Sequence, residues 1–552
     1  RVARALQRLK EDLLNTSEKK KVRFGGVVGD RGGRVRVQRK LYDPSTKRKM
    51  NPGRSTVEQR RSAAVRNLRG DAEYGQRRQQ CEVAKFMKSV ADPSKNKKGK
   101  FSKTRGLLVA HGMGSGKTVT SLWVAKQYLE DGRVNFVNIV APNVSVPEFR
   151  DSFEKAGVTP DQAGRIRVLT HDEFADNKRL RNFGNSLVVV DEAHLFTEGR
   201  YRALLRYDVP YLMLLSGTPA PNTPDDIVPL INLLCRHKAD EMTKKVWNNK
   251  ATTTKQKIAF MKDKVSVFNI GAKFNYMGNI GGDRVRAKRK LPGFLVKNVR
   301  VKLSEAQKTR YLAQLRKIQR ESPEEKEKHP FFIRERKIVY NGGGAGQAAA
   351  TPKISRVASD IAKEMKRSDA TASERRLLHG RLLVYVENHD TREALVKEIK
   401  RIVGTKDMKN RSIEEYSGRT SGATRARIKK SFNEGKTDVL IISSAGSVGL
   451  DLQCTSKVFV LDMSWNIPQM NQIIGRAIRF NSHSKKKTGC KHRHVDVHVY
   501  TSVLPKPRNG VKVFDQIVLE NSLKKWKVVA DMVESVMMKA SIKGRSVCQS
   551  LK

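Results

Sequence analysis

The sequence predicts an α/β protein of two parallel-sheet lobes, with a basic, partly helical insertion between them and a helical tail behind. Short apolar runs that end in small or polar turns alternate with amphipathic stretches, as parallel strands covered on both faces do. The alternation lapses after Cys235 and resumes after Ala350, so two such units are expected. Lys and Arg crowd the segments that lack it.

Taken in order, residues 1–70 show little apolar periodicity and many cations, as in "GDRGGRVRVQRKLYDPSTKRKMNPGR", and predict a flexible basic arm. The first lobe is predicted over residues 71–235, with "GLLVAHG", "FVNIVAP", "IRVLTH", "SLVVVDEAH" and "YLMLLSGTP" as strands. Residues 236–350 read as the insertion, helical at "SEAQKTRYLAQLRKIQRE" and flexible at "NGGGAGQAAATP". The second lobe is predicted over residues 351–505, with strands at "RLLVYVE", "DVLIISSAG", "KVFVLDM" and "HVDVHVYTS". Residues 506–552 form the helical tail. The apolar spacing of "SLKKWKVVADMVESVMMKASI" predicts that Met537 and Met538 pack against the second lobe.

The 552 residues carry 111 Lys+Arg against 55 Asp+Glu, a formal charge of +56. A surface so cationic makes nucleic acid the default partner, because phosphate neutralisation drives sequence-independent binding. The five cysteines, Cys81, Cys235, Cys454, Cys490 and Cys548, are odd in number and unclustered, so no disulfide framework is expected and a reducing compartment fits. No apolar run approaches a membrane span, and no membrane partner is expected. The chain opens on Arg1 rather than Met, so it is expected to be processed, trimmed or a fragment.

Two motifs carry chemistry. "LLVAHGMGSGKTVTSLWVAK" sets a glycine loop between a strand and a helix. Gly112, Gly114 and Gly116, with Met113 and Ser115 between them, let backbone N–H groups curl around an anion at a helix N-terminus. Lys117 is placed to reach the β- and γ-phosphates of ATP, and Thr118 to hold Mg²⁺. His111 stands where the usual pattern has its first glycine, a position that only opens the loop. In "LVVVDEAHLF", Asp191 ends a strand and can hold Mg²⁺ through water, while Glu192 is placed to orient or deprotonate the attacking water. His194 is placed between the nucleotide and the neighbouring motifs. "HSKKKTGCKHRH" offers His483, Cys490, His492 and His494 as a metal set, but the strict alternation of "HVDVHVYT" is explained by a strand behind a basic turn. In "NQIIGRAIRFNSHSKKK", helical spacing puts Arg476 and Arg479 on one face, two cations that need an anion between them.

The phosphate loop, "DEAH", "SGTP" (216–219), "SSAGSVGLDL" (443–452) and "QIIGRAIR" (472–479) occur in the order of the superfamily 2 helicases and translocases, which the chain resembles from about Tyr74 to Ser502. "LSGTPAPNTPDDIVPLINLL" is similar to the Swi/Snf-type branch. "YGQRRQQCEVAKFM" and "LDMSWNIPQMNQIIGRAIRFNSHS" resemble helicases of large nucleocytoplasmic DNA viruses, the group of the poxvirus early transcription factor small subunit and nucleoside triphosphatase I. The resemblance implies two RecA-like lobes with ATP between them. It makes Arg479 the arginine finger and Arg476 its companion, and sets Gln472 near the attacking water. Gln80 would read adenine, with Gln79 its rival. Gly449 and Asp451 would contact the ribose side, and Ser216, Gly217 and Thr218 would link hydrolysis to lobe movement. Asn143 and Thr170 would grip the phosphate backbone.

The expected function is an ATP-dependent translocase or helicase on nucleic acid, DNA rather than RNA, in viral transcription. A viral RNA polymerase or a second transcription-factor subunit is its expected protein partner. The virion or the host cytoplasm is its expected location, with the host nucleus as the other. A DNA-stimulated ATPase that leaves strands paired stays open, as does a basic scaffold with an inactive ATP site. Intact Lys117, Asp191, Glu192 and Arg479 argue against the scaffold.

Overall fold

The computed structural model describes residues 72–90, 103–112, 114–176, 183–196, 200, 204, 209–268, 276–287, 291–320, 333–341, 350–366, 380–444, 450–479, 482–484, 490–506 and 511–542. The predicted arm lies outside them. Among them, no helix is long and apolar enough to cross a membrane.

Two six-stranded parallel sheets form the frame. In the first, β1 (Gly106–His111), β2 (Phe136–Ala141), β3 (Ile166–Thr170), β4 (Ser186–Val190), β5 (Tyr211–Ser216) and β6 (Val265–Phe268) lie in the order β3-β2-β4-β5-β1-β6. Their apolar residues divide by the two-residue period of a strand. Leu108, Ala110, Val188, Val190, Leu212 and Leu214 enter the core on one face, and Leu107, Val109, Leu187, Val189, Met213 and Leu215 enter the core on the other. Burial on both faces explains the continuous apolar runs, and each such side chain contributes about 1.5–3 kcal/mol. A Cβ on Gly106 would fall 1.6 Å from the Leu212 carbonyl oxygen, so only glycine lets β1 start beside β5. Helices α1 (Ala72–Ser89), α2 (Lys117–Glu130) and α3 (Val146–Asp151) belong to this lobe. The Tyr128 hydroxyl ties α2 to α1 by donating to the Met87 carbonyl at 2.6 Å.

The second sheet holds β7 (Gly293–Lys302), β8 (Arg381–Tyr385), β9 (Ile413–Tyr416), β10 (Val439–Ile442), β11 (Thr455–Val460) and β12 (His494–Val503), in the order β7-β12-β11-β8-β10-β9. Helices α4 (Ile333–Asn341), α5 (Pro352–Lys366), α6 (Ile467–Ala477) and α7 (Phe514–Met532) are the ones that matter below. Asp515 of α7 lies fully buried. It accepts from Lys353 Nζ of α5 at 2.8 Å, the Tyr340 hydroxyl of α4 at 2.8 Å and the Ser502 N–H of β12 at 2.7 Å. A buried carboxylate is tolerated when its lone pairs are met in this way.

Three expectations are corrected here. Residues 236–350, expected as an insertion, give each sheet a strand: β6 joins the first, and β7 pairs with β12 along its whole length. The expected packing of the Met pair is also wrong. Beyond α7 a π-helical turn, Val533–Met537, and the short helix Met538–Ala540 carry Val533, Val536, Met537 and Ala540 into the first lobe's core beside Leu108, Trp247 and Val265. Met538 is 47% exposed. Apolar periodicity marks a face to be buried but does not say against which lobe. The Ile542 N–H then donates to the Val265 carbonyl at 2.9 Å, fastening the tail to β6. Finally, Cys454 and Cys490 are joined sulfur to sulfur at 2.13 Å, with Cα atoms 5.6 Å apart, in the geometry of a disulfide. The pairing spans 36 residues and comes from the fold, which sets the starts of β11 and β12 side by side.

Candidate active site

The first half of the site is the loop before α2. Gly114 (φ 69°) and Gly116 (φ 81°) take left-handed conformations natural to glycine, and α2 opens directly behind them at Lys117. No side chain caps α2 and no acid sits in its first turn, so its leading N–H groups and dipole are left for an anion. Lys117 Nζ donates to the His111 carbonyl at 3.0 Å. His111 itself is buried, with Nε2 2.8 Å from Ser266 Oγ. Burial and then Lys117 push its pKa down to about 3, so it is a neutral bracket to β6 and no phosphate ligand. Gln79 and Gln80 both reach the loop from α1, with Nε2 atoms 3.5 Å from the Ser115 carbonyl and 3.4 Å from the Gly116 carbonyl. The geometry therefore does not choose between the two glutamines. Thr118 is half-buried on α2 and its hydroxyl has no bond among the described residues. Met113 and Gly449 lie outside them.

Asp191 and Glu192 follow β4. Asp191 is buried, and burial followed by the Glu192 charge pushes its carboxyl up to about 7, with Lys117 pulling the other way. The Asp191 carbonyl accepts from His171 Nε2 at 2.9 Å. Glu192 has φ 47°, a conformation that costs about 1–3 kcal/mol outside glycine and persists where the surroundings enforce it. Its Oε2 is buried without a hydrogen bond, 3.4 Å from His194 Nδ1. The same His194 Nδ1 is 2.9 Å from Ser216 Oγ, which accepts the Thr218 N–H at 3.0 Å across Gly217. Thr218 Oγ1 in turn lies 3.3 Å from His194 Nε2. The DEAH and SGTP segments thus form one hydrogen-bonded unit at the ends of β4 and β5, with His194 kept neutral by burial.

The second half comes from α6. Asn466 caps this helix by accepting from the Gln469 N–H, and Gln472 lies half-buried along it. The helix stops at Ala477, so Arg476 and Arg479 do not share a helical face, contrary to expectation. Ile478 leaves helical geometry (φ −104°, ψ 78°), and Ser482 Oγ bonds the Ala477 carbonyl at 3.3 Å and the Arg479 N–H at 3.2 Å in place of a further turn. Arg476 is 6% exposed. Its Nη1 donates to the Leu450 carbonyl at 3.2 Å while its Nε has no partner. Burial and then Arg479 draw its pKa down to about 9, and Glu192 and Glu148 of the first lobe draw it up. Arg479 Nη1 stands 3.5 Å from Asp451, and its Nε donates to the Gly475 carbonyl at 3.3 Å. The Arg476 guanidinium, with Arg479 beside it, therefore stands within electrostatic reach of the Glu192 and Glu148 carboxylates of the other lobe.

In sequence, three family models match in succession: Type III restriction enzyme, res subunit, over residues 73–221, SNF2-related domain over 162–361, and Helicase conserved C-terminal domain over 370–481. The chain thus carries the SNF2-related and Helicase conserved C-terminal domains of a superfamily 2 helicase. This helicase is an ATP hydrolase, of the kind that couples ATP to movement or strand separation on nucleic acid. A protein of Acanthamoeba polyphaga mimivirus named as an ATP-dependent RNA helicase is 23% identical over 409 residues, 73% of this chain and 86% of that one. Nucleoside triphosphatase I of Heliothis armigera entomopoxvirus is 33% identical over 134 residues, 23% of this chain and only 20% of the relative. The solved SWI2/SNF2 ATPase core of Sulfolobus solfataricus in complex with dsDNA aligns over 85% of this chain and 97% of its own, at 14% identity and a TM-score of 0.34, too loosely to place residues.

Other groups of the helicase site escaped the sequence reading. Glu148, exposed on α3, acts on both Asp191 and Arg476, yet nothing in "VAPNVSVPEF" set it apart. The residues between β6 and β7 dock on α6: the Tyr276 hydroxyl donates to the Ile478 carbonyl at 3.2 Å, and the Met277 N–H to Asn471 Oδ1 at 3.1 Å. Ser444, inside the SSAGSVGLDL motif but given no role from sequence, donates through N–H and hydroxyl to the Glu387 carboxylate. Asn143 is exposed just past β2, and Thr170 ends β3 with its Oγ1 accepting from the Glu173 N–H at 3.0 Å.

Proposed function

We propose that this helicase is an ATP-driven translocase on duplex DNA that serves viral transcription. The observation that supports it best is the approach of Arg476, with Arg479 beside it, to Glu192 of the other lobe. In this reading the anion between the arginines is the γ-phosphate of ATP, cradled by Gly112, Gly114, Gly116 and Lys117. Glu192 takes a proton from the attacking water, which Gln472 helps to position, and the arginines neutralise charge developing on the transferred group. Gln80, or Gln79 beside it, reads the base, and Asp451 lies on the ribose side.

Thr118 and Asp191 fit a Mg²⁺ ion. One offers an unengaged hydroxyl, the other a buried carboxyl that burial disfavours as an anion until a cation joins it. The ion supplies charge neutralisation on the phosphates. His194, Ser216 and Thr218 pass a change at Glu192 into the β5 turn, and lobe closure becomes a nucleotide-driven population shift. The SNF2-related match and the charge of +56 favour duplex DNA, with Asn143 and Thr170 on its backbone. A viral RNA polymerase or a second transcription-factor subunit is the proposed partner, and the virion or the host cytoplasm the proposed setting.

Steady-state ATP hydrolysis alone and with duplex DNA, single-stranded DNA or RNA tests the reading. Duplex DNA is expected to stimulate most. Stimulation by RNA alone would replace the track, and turnover that ignores every nucleic acid would end the motor reading.

A further inference from the structure

We infer that Cys454, Cys490 and His492 form a zinc site at the base of the second lobe when the two cysteines are reduced, with His483 packed beside His492. The fold brings Cys454 from the start of β11 to Cys490 and His492 at the start of β12, so that one ligand atom from each lies within 4.8 Å of the others. His492 Nε2 is 3.5 Å from Cys454 Sγ, and its Nδ1 is 3.2 Å from the His494 carbonyl. A carbonyl only accepts, so Nδ1 carries the proton and Nε2 presents a lone pair toward the sulfurs. His483, whose ring centre is 5.0 Å from that of His492, repeats the arrangement. Its Nε2 is 2.8 Å from the Thr455 carbonyl, which leaves the lone pair on Nδ1, now 2.9 Å from Ser482 Oγ.

Each imidazole is thus held by a backbone carbonyl through its far nitrogen, the outer support typical of metal-bound histidines. Room is left as well: Gly380 (φ 68°) passes so close that a Cβ there would lie 2.3 Å from His492 Nε2. Two thiolates and an imidazole around one point, with a second imidazole beside them, select zinc over harder cations.

The disulfide in the structure is the metal-free alternative. A small-molecule dithiol reduces it, giving two cysteine thiols and the oxidised, disulfide form of the reagent. Each thiol then releases one proton to solvent on binding Zn²⁺. Bound zinc would pin the start of β11 to the start of β12 below the turn that carries Arg479, since the Cys454 N–H donates to the Ser482 carbonyl and Ser482 Oγ accepts from the Arg479 N–H.

The test is the zinc content of the full chain after anaerobic reduction, incubation with zinc alone and desalting, with thiols counted by alkylation and mass spectrometry. The expected result is about one zinc per chain, lost in Cys454→Ser, Cys490→Ser and His492→Ala, regained in His492→Cys and unaffected in His494→Ala. Cobalt(II) in its place should give the intense sulfur-to-metal absorption of a tetrahedral site. Both thiols free but no metal bound would overturn the inference. So would zinc retained by the double variant Cys454→Ser/Cys490→Ser, or a disulfide that survives reduction of the folded chain.

Discussion

Replacing Arg476 with methionine separates what this guanidinium costs from what it does. The fall in pKa from the ordinary guanidinium value to about 9 corresponds to about 5 kcal/mol of disfavour for the charged form in the folded state, caused chiefly by burial and then by Arg479. A guanidinium does not shed its proton near neutral pH, so the folded protein carries that disfavour as instability. The figure is an upper limit, because exchanging a buried ion for a well-packed apolar side chain gains about 1–4 kcal/mol in practice. Loss of the bond to the Leu450 carbonyl returns about 1 kcal/mol of it. Arg476→Met is therefore expected to stabilise the nucleotide-free protein by up to about 3 kcal/mol, several degrees in the melting temperature of the second lobe. The same change should lower ATP turnover on the order of a thousandfold, the scale of a lost transition-state arginine. Differential scanning calorimetry without nucleotide and steady-state hydrolysis on the same preparations read both effects. A variant that melts lower than the wild type, or that keeps turnover within tenfold, would refute the argument that this charge waits for an anion.

Three further outcomes are expected. Glu192→Gln should bind ATP as before, by fluorescent-nucleotide titration, yet hydrolyse it about 10²–10⁴ times more slowly. The carboxyl of Asp191, raised to about 7, stabilises the nucleotide-free protein in full below its unfolded value of 3.8, and that contribution is lost progressively as pH rises from there through 7. The Mg²⁺ concentration for half-maximal turnover should accordingly drop between pH 6 and pH 8, and a flat profile would remove Asp191 as the cation's ligand. Met537→Ala should destabilise the first lobe by about 2–5 kcal/mol, because Met537 is fully buried among its core residues, and chemical denaturation followed at Trp247 should report it.

The lobes, the phosphate loop, DEAH and SGTP were legible in the sequence because each is local: a strand buried on both faces must be apolar throughout, and a phosphate loop must follow a strand and open a helix. What stayed hidden depends on distant partners. β7 alternates apolar and basic residues on the sheet's edge, so "GFLVKNVRVK" read as part of a cationic insertion. The end of α6 is fixed by Ser482, five residues beyond the last helical turn, and helical spacing alone carried Arg479 onto the wrong face. The pairing of Cys454 with Cys490 follows from two strands lying side by side, which no spacing rule foretells. Nor does the tail's spacing reveal that Met537 crosses to the other lobe.

That crossing changes the kinematics of the machine. The chain leaves the first lobe between β6 and β7 and returns to it through α7 and the turn beyond, so the lobes are joined at two separate points. A body pinned once can swivel in any direction, whereas a body pinned twice can only rotate about the line through its pins, like a door on its frame. Both pins lie on β6 but apart: the link departs beyond Phe268, and the Ile542 N–H bonds the Val265 carbonyl at the strand's start. The second attachment would thereby narrow the arc through which the second lobe swings as ATP binds and leaves.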